Sequence, residues 1–257
     1  MTAWRALFKK EIRLGSLGFF VFLGFELVLM AFGVWLYFRA LQDGGVGYRS
    51  VMFIIGVVLM TLHFFYLFGY LIVNAIQERK TFHLWLNNPL PAWSMLGAKM
   101  VVGLIYMTLS FLVASIYTWI GSLLIPYVSL PAGVHVYRTA TVLIAYLYWV
   151  ALYIGIVFMF LWTIERIIRS RIGRLVWIIL PVGVILMILL LVKLSQWGIL
   201  AFFYNWGELP SSVANFLLPY SFFHGHIYIG NFVMDLLVMA LLFAGSSWLM
   251  DHKLEVS

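Results

Sequence analysis

The sequence predicts an all-α integral membrane protein with six transmembrane helices, and three observations predict it. Of 257 residues, 65% are hydrophobic and 10% are charged, against about 25% charged in an ordinary soluble domain. Mean hydropathy is +1.05. A water-soluble core cannot bury that much apolar surface, so lipid is the solvent for much of the chain. Apolar runs of span length also recur along it. They cover Ser16–Phe38, Val51–Ile76, Met100–Pro126, Ala140–Ile164, Leu175–Gln196 and Ile227–Leu249. Each reaches the roughly 20 residues a helix needs to cross about 30 Å of hydrocarbon. Residues 1–257 read as one transmembrane domain, with no soluble domain, linker or fixed-period repeat.

Ahead of the first span, residues 1–15 carry two patterns. Trp4, Leu7, Phe8 and Ile12 recur at helical spacing, while Arg5, Lys9 and Arg13 lie on a different face with Lys10 beside them. That pattern predicts a short interfacial helix lying in the inner headgroup layer before the chain turns into the membrane. A basic flank that only sets topology is the plainer reading. The apolar run that follows is too long for a signal peptide, and no small-x-small site closes it.

Charge gives the orientation. One side holds Arg5, Lys9, Lys10, Arg13, Arg79, Lys80, Lys99, Arg166, Arg169, Arg171, Arg174 and Lys253, twelve cations in all. The other holds four, Arg39, Arg49, Arg138 and Lys193. Positive loops stay in the cytoplasm, so both termini are expected there. The net charge of +7 then reflects cytoplasmic loops beside anionic lipid rather than nucleic-acid binding. Lys193 snorkels toward the outer interface.

Between the fifth and sixth spans, residues 198–226 are too aromatic to hang in water and too broken by Pro210 and Pro219 to span. Short interfacial or re-entrant helices fit, with protein covering the irregular backbone.

Ionisable groups inside the spans are the first candidate site. Glu26 lies mid-way along the first span, His63 within the second, and Asp235 within the last. A carboxylate at mid-membrane costs roughly 2.5–3.5 kcal/mol on insertion scales. These three are candidates to line a translocation path or carry a proton; packing residues hydrogen-bonded between helices are the alternative. Asn74, near the inner end of the second span, reads as packing. His224 and His226 sit two apart and do not share a helix face, so a turn at the interface is expected there rather than a metal site. There is no cysteine, no H-E-x-x-H and no G-x-S-x-G, so no catalytic residue is assigned and no metal is expected.

The second candidate is the segment "QERKTFHLWLNNPLPAWSMLGAKM", Gln77–Met100. It is longer than a plain connection. Thr81 is placed to cap a short helix through Phe82, His83, Leu84, Trp85 and Leu86. Asn87, Asn88 and Pro89 end it, because the residue before proline disfavours helix. Ala92–Lys99 then restarts a helix into the third span.

This loop resembles the first cytoplasmic loop of the permease subunits of ABC-2 type exporters (the type V fold). The matching residues are Glu78-Arg79, Thr81-Phe82, Leu84–Leu86, Asn88-Pro89-Leu90-Pro91 and Lys99. "NFLLPYSFF" is similar more faintly. Lys80 and His83 depart from the family pattern, which has glycine and an acid there. The resemblance implies a permease that pairs with a second copy or a paralogue. It implies a coupling helix over residues 81–88, set in a groove of a separate ATP-binding subunit, with Glu78 and Arg79 anchoring the loop to the basic N-terminal helix or to that subunit. ATP and Mg would sit on the partner, since this chain has no G-x-x-x-x-G-K loop and is not itself an enzyme. The cargo would be hydrophobic or amphipathic (peptide, lipid or drug-like), and the site a bacterial plasma membrane. Two other classes compete: an intramembrane enzyme, and a proton-driven secondary transporter, each using Glu26, His63 and Asp235.

Overall fold

A computed structural model describes residues 2–42, 50–78, 90–125, 136–210 and 228–253. Almost all of these are helical, and the one extended pairing among them is an isolated bridge between Glu208 and Tyr228. In chain order the helices are α1 (Thr2–Gln42), α2 (Val51–Leu62), α3 (Tyr66–Gln77), α4 (Ala92–Leu123), α5 (Val136–Ile172), α6 (Val176–Gln196), α7 (Ile199–Tyr204) and α8 (Ile229–Lys253).

Among the described residues, five helical stretches are long and apolar enough to cross a membrane: Trp4–Gln42, Val51–Gln77, Ala92–Leu123, Arg138–Gln196 and Ile229–His252. The protein is therefore a helical chain of multi-pass membrane character. The fourth and fifth expected spans fall together in the 59-residue stretch Arg138–Gln196. At 1.5 Å per residue such a stretch would extend about 88 Å if straight. It is interrupted by a 3-10 turn, Gly173–Leu175, with Gly173 at φ +64°. That left-handed conformation suits glycine and ends α5 in the usual way of a helix C-terminus.

The N-terminal reading needs a correction. Residues 2–15 are not a separate helix that turns before the first span, because α1 runs unbroken for 41 residues. The reason is visible in its packing. Leu7, Glu11, Gly15, Glu26, Met30 and Gly33 form one buried stripe, while Arg5, Lys9, Lys10 and Arg13 are exposed. Gly15 has no room for a side chain, since a Cβ there would lie 2.6 Å from the Tyr70 ring. This contact seats α1 on α3 through the point where a turn was expected.

The chain divides into two compact units. The first comprises Met1–Leu90, Ser94–Pro131 and Leu147–Gly155. Its core includes Met30, Met52, Leu59, Ala114 and Tyr117, so α1, α2 and α4 share one apolar centre. Helices α2 and α4 approach at backbone distance: a Cβ on Gly121 would stand 2.8 Å from Phe53 N, and one on Gly56 would stand 2.9 Å from Thr118 Cα. Small residues permit such approach where lipid gives helices no hydrophobic drive to associate. Tyr117 donates to Met30 O at 3.2 Å, fastening α4 to α1.

The second unit comprises Pro91–Trp93, Ala132–Tyr146 and Ile156–Ser257. Within it, a Cβ on Gly245 of α8 would stand 3.5 Å from the Phe160 ring of α5. The amide of Ala92, first residue of α4, donates to Asp251 Oδ1 of α8 at 3.0 Å. A carboxylate from a distant part of the chain thus serves as the N-terminal cap. After α6, the short helix α7 and the Glu208–Tyr228 bridge form the broken segment expected there, with Ile229 N donating to Gly207 O at 3.0 Å. Residues 211–227, including His224 and His226, lie outside the described residues.

Candidate functional sites

Two polar clusters are built into the first unit. Both hang from the same inward stripe of α1, fifteen residues apart, which is about 22 Å along a helix.

The first cluster is organised by Lys99. Its ammonium group has three N–H donors, and each finds an acceptor: Glu78 Oε1 at 2.6 Å, Glu11 Oε2 at 2.9 Å and Asn74 Oδ1 at 2.9 Å. The amide of Asn74 in turn donates to Glu11 Oε2 at 3.3 Å. Glu11 is fully buried, Glu78 is 1% exposed and Asn74 2% exposed. Lys10, 47% exposed, lies 3.7 Å from Glu11 and 3.6 Å from Glu78. Two carboxylates here face two ammonium groups, and opposite charges at close range are what a buried ionic group requires. Asn74 and Glu78 share a face of α3 and its last turn at i, i+4 spacing. Glu11, Glu78 and Lys99 therefore join α1, the end of α3 and the first turns of α4.

This arrangement bears on the second sequence candidate. Glu78 sits at one root of the 79–91 connection and Lys99 follows the other, and the two are bonded directly. Glu78 also meets the basic N-terminal segment through Lys10. Arg79, Thr81, Phe82, His83, Leu84, Trp85, Leu86, Asn88 and Pro89 lie outside the described residues. Helix restarts at Ala92, as the sequence suggests.

The second cluster joins Glu26, His63 and Ser110, all fully buried. Ser110 Oγ donates to Glu26 Oε2 at 2.6 Å. His63 Nε2 stands 3.2 Å from Ser110 Oγ and 3.3 Å from Glu26 Oε1. His63 Nδ1 is 2.9 Å from Leu59 O, and a carbonyl can only accept, so Nδ1 carries a hydrogen. Helix α2 gives way to a 3-10 turn at this residue, where His63 N–H donates to Met60 O. The i→i−3 bond tightens His63–Phe65 into a 3-10 turn. One turn earlier, Thr61 Oγ1 donates to Val57 O at 2.8 Å. Aromatic rings close the surroundings: Tyr66 stacks on His63 at 5.7 Å, and Phe22 and Phe111 meet it edge-on at 5.6 and 5.3 Å.

Of the three ionisable candidates in the spans, the structure thus brings Glu26 and His63 together. Asp235 belongs to the second unit, where it is half-buried on α8. Its carboxylate, after burial, is the second cause that raises the Tyr204 phenol above its ordinary pKa.

Sequence reasoning missed Glu11, Ser110 and the role of Lys99. Glu11 was hidden by four basic neighbours, although Leu7, Glu11 and Gly15 at i, i+4, i+8 mark one face. Ser110 is one of many hydroxyls in apolar helices and carries no signal of its own. No group of three or more His, Asp or Glu suited to a metal ion occurs among the described residues.

Comparison with family models, with curated protein sequences and with solved structures gave no match.

Proposed function

We propose that this chain is the membrane-spanning permease subunit of an ATP-driven exporter of the ABC-2 type. It spans the membrane six times with both termini in the cytoplasm of a bacterial cell, pairs with a second permease copy or paralogue, and takes its energy from a separate ATP-binding subunit carrying ATP and Mg. The cargo is hydrophobic or amphipathic. The six-span count reads Arg138–Gln196 as two crossings separated at Gly173, because one helix of that length is about three times the hydrocarbon thickness. The arginines at 166, 169 and 171, near the end of α5, and Arg174 in the turn then fall on the cytoplasmic side.

The observation that carries the reading is the 77–99 segment. Its sequence has the coupling-loop pattern, and its two roots are tied through Glu78 and Lys99 to each other and to Glu11 of α1. A loop held this way transmits force: displacement of residues 79–91 by a partner is passed to α1, α3 and α4 together rather than lost in side-chain motion. In this mechanism Glu78 is an anchor and residues 81–88 make the contact with the ATPase.

The test is a mild-detergent pull-down from native membranes with mass spectrometry. A near-stoichiometric partner carrying a G-x-x-x-x-G-K phosphate loop is the expected result. Recovery of the chain alone, or only with itself, sinks the reading. A second reading, proton-driven transport or intramembrane catalysis at Glu26 and His63, draws support from their 3.3 Å contact. It requires activity from the isolated chain in lipid vesicles without ATP.

A further inference from the structure

We propose that Glu26, Ser110 and His63 together form a binding site for one proton, shared among the three side chains. The inference rests on hydrogen-bond bookkeeping and holds whether or not the chain works with an ATPase.

The bond to Leu59 O commits the Nδ1 hydrogen of His63. Three close contacts remain: Ser110 Oγ to Glu26 Oε2, Ser110 Oγ to His63 Nε2, and His63 Nε2 to Glu26 Oε1, at 2.6, 3.2 and 3.3 Å. Ser110 supplies a single hydrogen. With no further proton, that hydrogen serves one neighbour only, and the lone pair of Nε2 faces a carboxylate oxygen with nothing between them. With one added proton the contacts close in two ways. In the first, an imidazolium donates from Nε2 while Ser110 donates to the carboxylate. In the second, the carboxylic acid donates to Ser110 Oγ, and Ser110 donates to a neutral imidazole. Both forms are neutral overall, and they interconvert by moving hydrogens along existing bonds. A second added proton leaves a net positive charge among Phe22, Phe111 and Tyr66, which apolar surroundings oppose. One proton is the occupancy that both satisfies the polar atoms and keeps the pocket neutral.

The titratable groups around the site are few. From α3, Tyr66 stacks on His63, and its buried hydroxyl has no hydrogen-bond partner among the described residues. From α4, Tyr106 commits its hydroxyl to Ile12 O at 2.7 Å. From α1 the only such group is Glu26 itself. The Lys99 cluster hangs from the same stripe about four helical turns away. His63 is the first residue of the 3-10 turn and contacts Glu26 of α1 and Ser110 of α4, so occupancy of the site bears on how that turn is held to both helices.

The experiment is pH-difference infrared spectroscopy of the full chain in lipid vesicles. In the wild type, the carbonyl stretch of a protonated buried carboxyl group and the imidazole ring bands change together with a single apparent midpoint, as expected of two groups sharing one proton. In Glu26→Gln, which retains a donor toward Ser110, the carboxyl band with that midpoint is lost, and so is the imidazole component that moved with it. Should that variant not fold, Ser110→Ala serves. It keeps the direct Glu26–His63 contact, so the bands still move together but with a displaced midpoint. Separate midpoints for carboxyl and imidazole in the wild type, or a co-titrating carboxyl band unchanged in Glu26→Gln, overturn the proposal.

Discussion

Replacing Lys99 by methionine removes a charge while keeping most of the side-chain volume. Three hydrogen bonds from Nζ, at 2.6, 2.9 and 2.9 Å, are lost together. Glu11 and Glu78 stay behind as buried carboxylates, 0% and 1% exposed. Lys10 cannot take over, because it lies at 3.6 and 3.7 Å and is half exposed, where ion pairs are worth roughly 0–1 kcal/mol. Breaking a buried pair by removing one partner costs about 3–5 kcal/mol. For a chain of this size that corresponds to a fall of about 6–20 °C in melting temperature. The assay is thermal unfolding in lipid nanodiscs followed by tryptophan fluorescence. The triple variant Glu11→Gln, Glu78→Gln, Lys99→Met removes the stranded charges as well, and should recover to within about 1–2 kcal/mol of wild type. A fall below about 2 °C for Lys99→Met, or a triple variant no better than the single, would refute the reasoning that Lys99 compensates the two buried carboxylates.

Other outcomes follow from the same geometry. Gly121→Leu forces α2 and α4 apart at Phe53, and overpacking of about 1–3 kcal/mol should show as a lower melting temperature. Asp251→Ala uncaps α4 at Ala92, with an expected loss of about 0.5–2 kcal/mol in the same melt. His63→Leu removes the buried imidazole from Glu26 and Ser110, and the loss of those contacts should lower the melting temperature. On the proposed exporter reading, Trp85→Ala with Pro89→Ala should leave the chain inserted and ATP hydrolysis by the partner intact while transport is lost; normal transport by that variant would end the coupling-loop assignment.

How far the site was legible depended on how far apart its parts lie in sequence. Glu26 and His63 stand out singly, because an ionisable residue in an apolar run is costly and needs a reason. Their meeting is not legible: 37 positions separate them, and Ser110 comes from yet another helix. Glu78 drew attention through its place in a recognisable loop, yet its bonded partner Lys99 reads locally as the basic residue that opens a span. Glu11 reads as one acid among cations. Burial inverts that impression, since the cations point outward and the acid inward. The expected turn near residue 15 failed because a pattern of basic and apolar residues describes a helix equally well whether it lies on a surface or packs against a neighbour.

By itself the sequence determined the solvent, the helical state and the approximate positions of the apolar helices. Each follows from composition and from runs of about 20 residues, quantities that sum over a segment and need no knowledge of its neighbours. The tertiary structure alone decided which polar groups meet. A buried charge or imidazole must be satisfied by specific atoms at hydrogen-bond distance, and those atoms arrive from helices whose rotation and depth are set by packing. The glycines at 15, 56 and 121 allow α1 to close on α3 and α2 on α4. That fit brings Lys99 between Glu11 and Glu78, and Ser110 between Glu26 and His63.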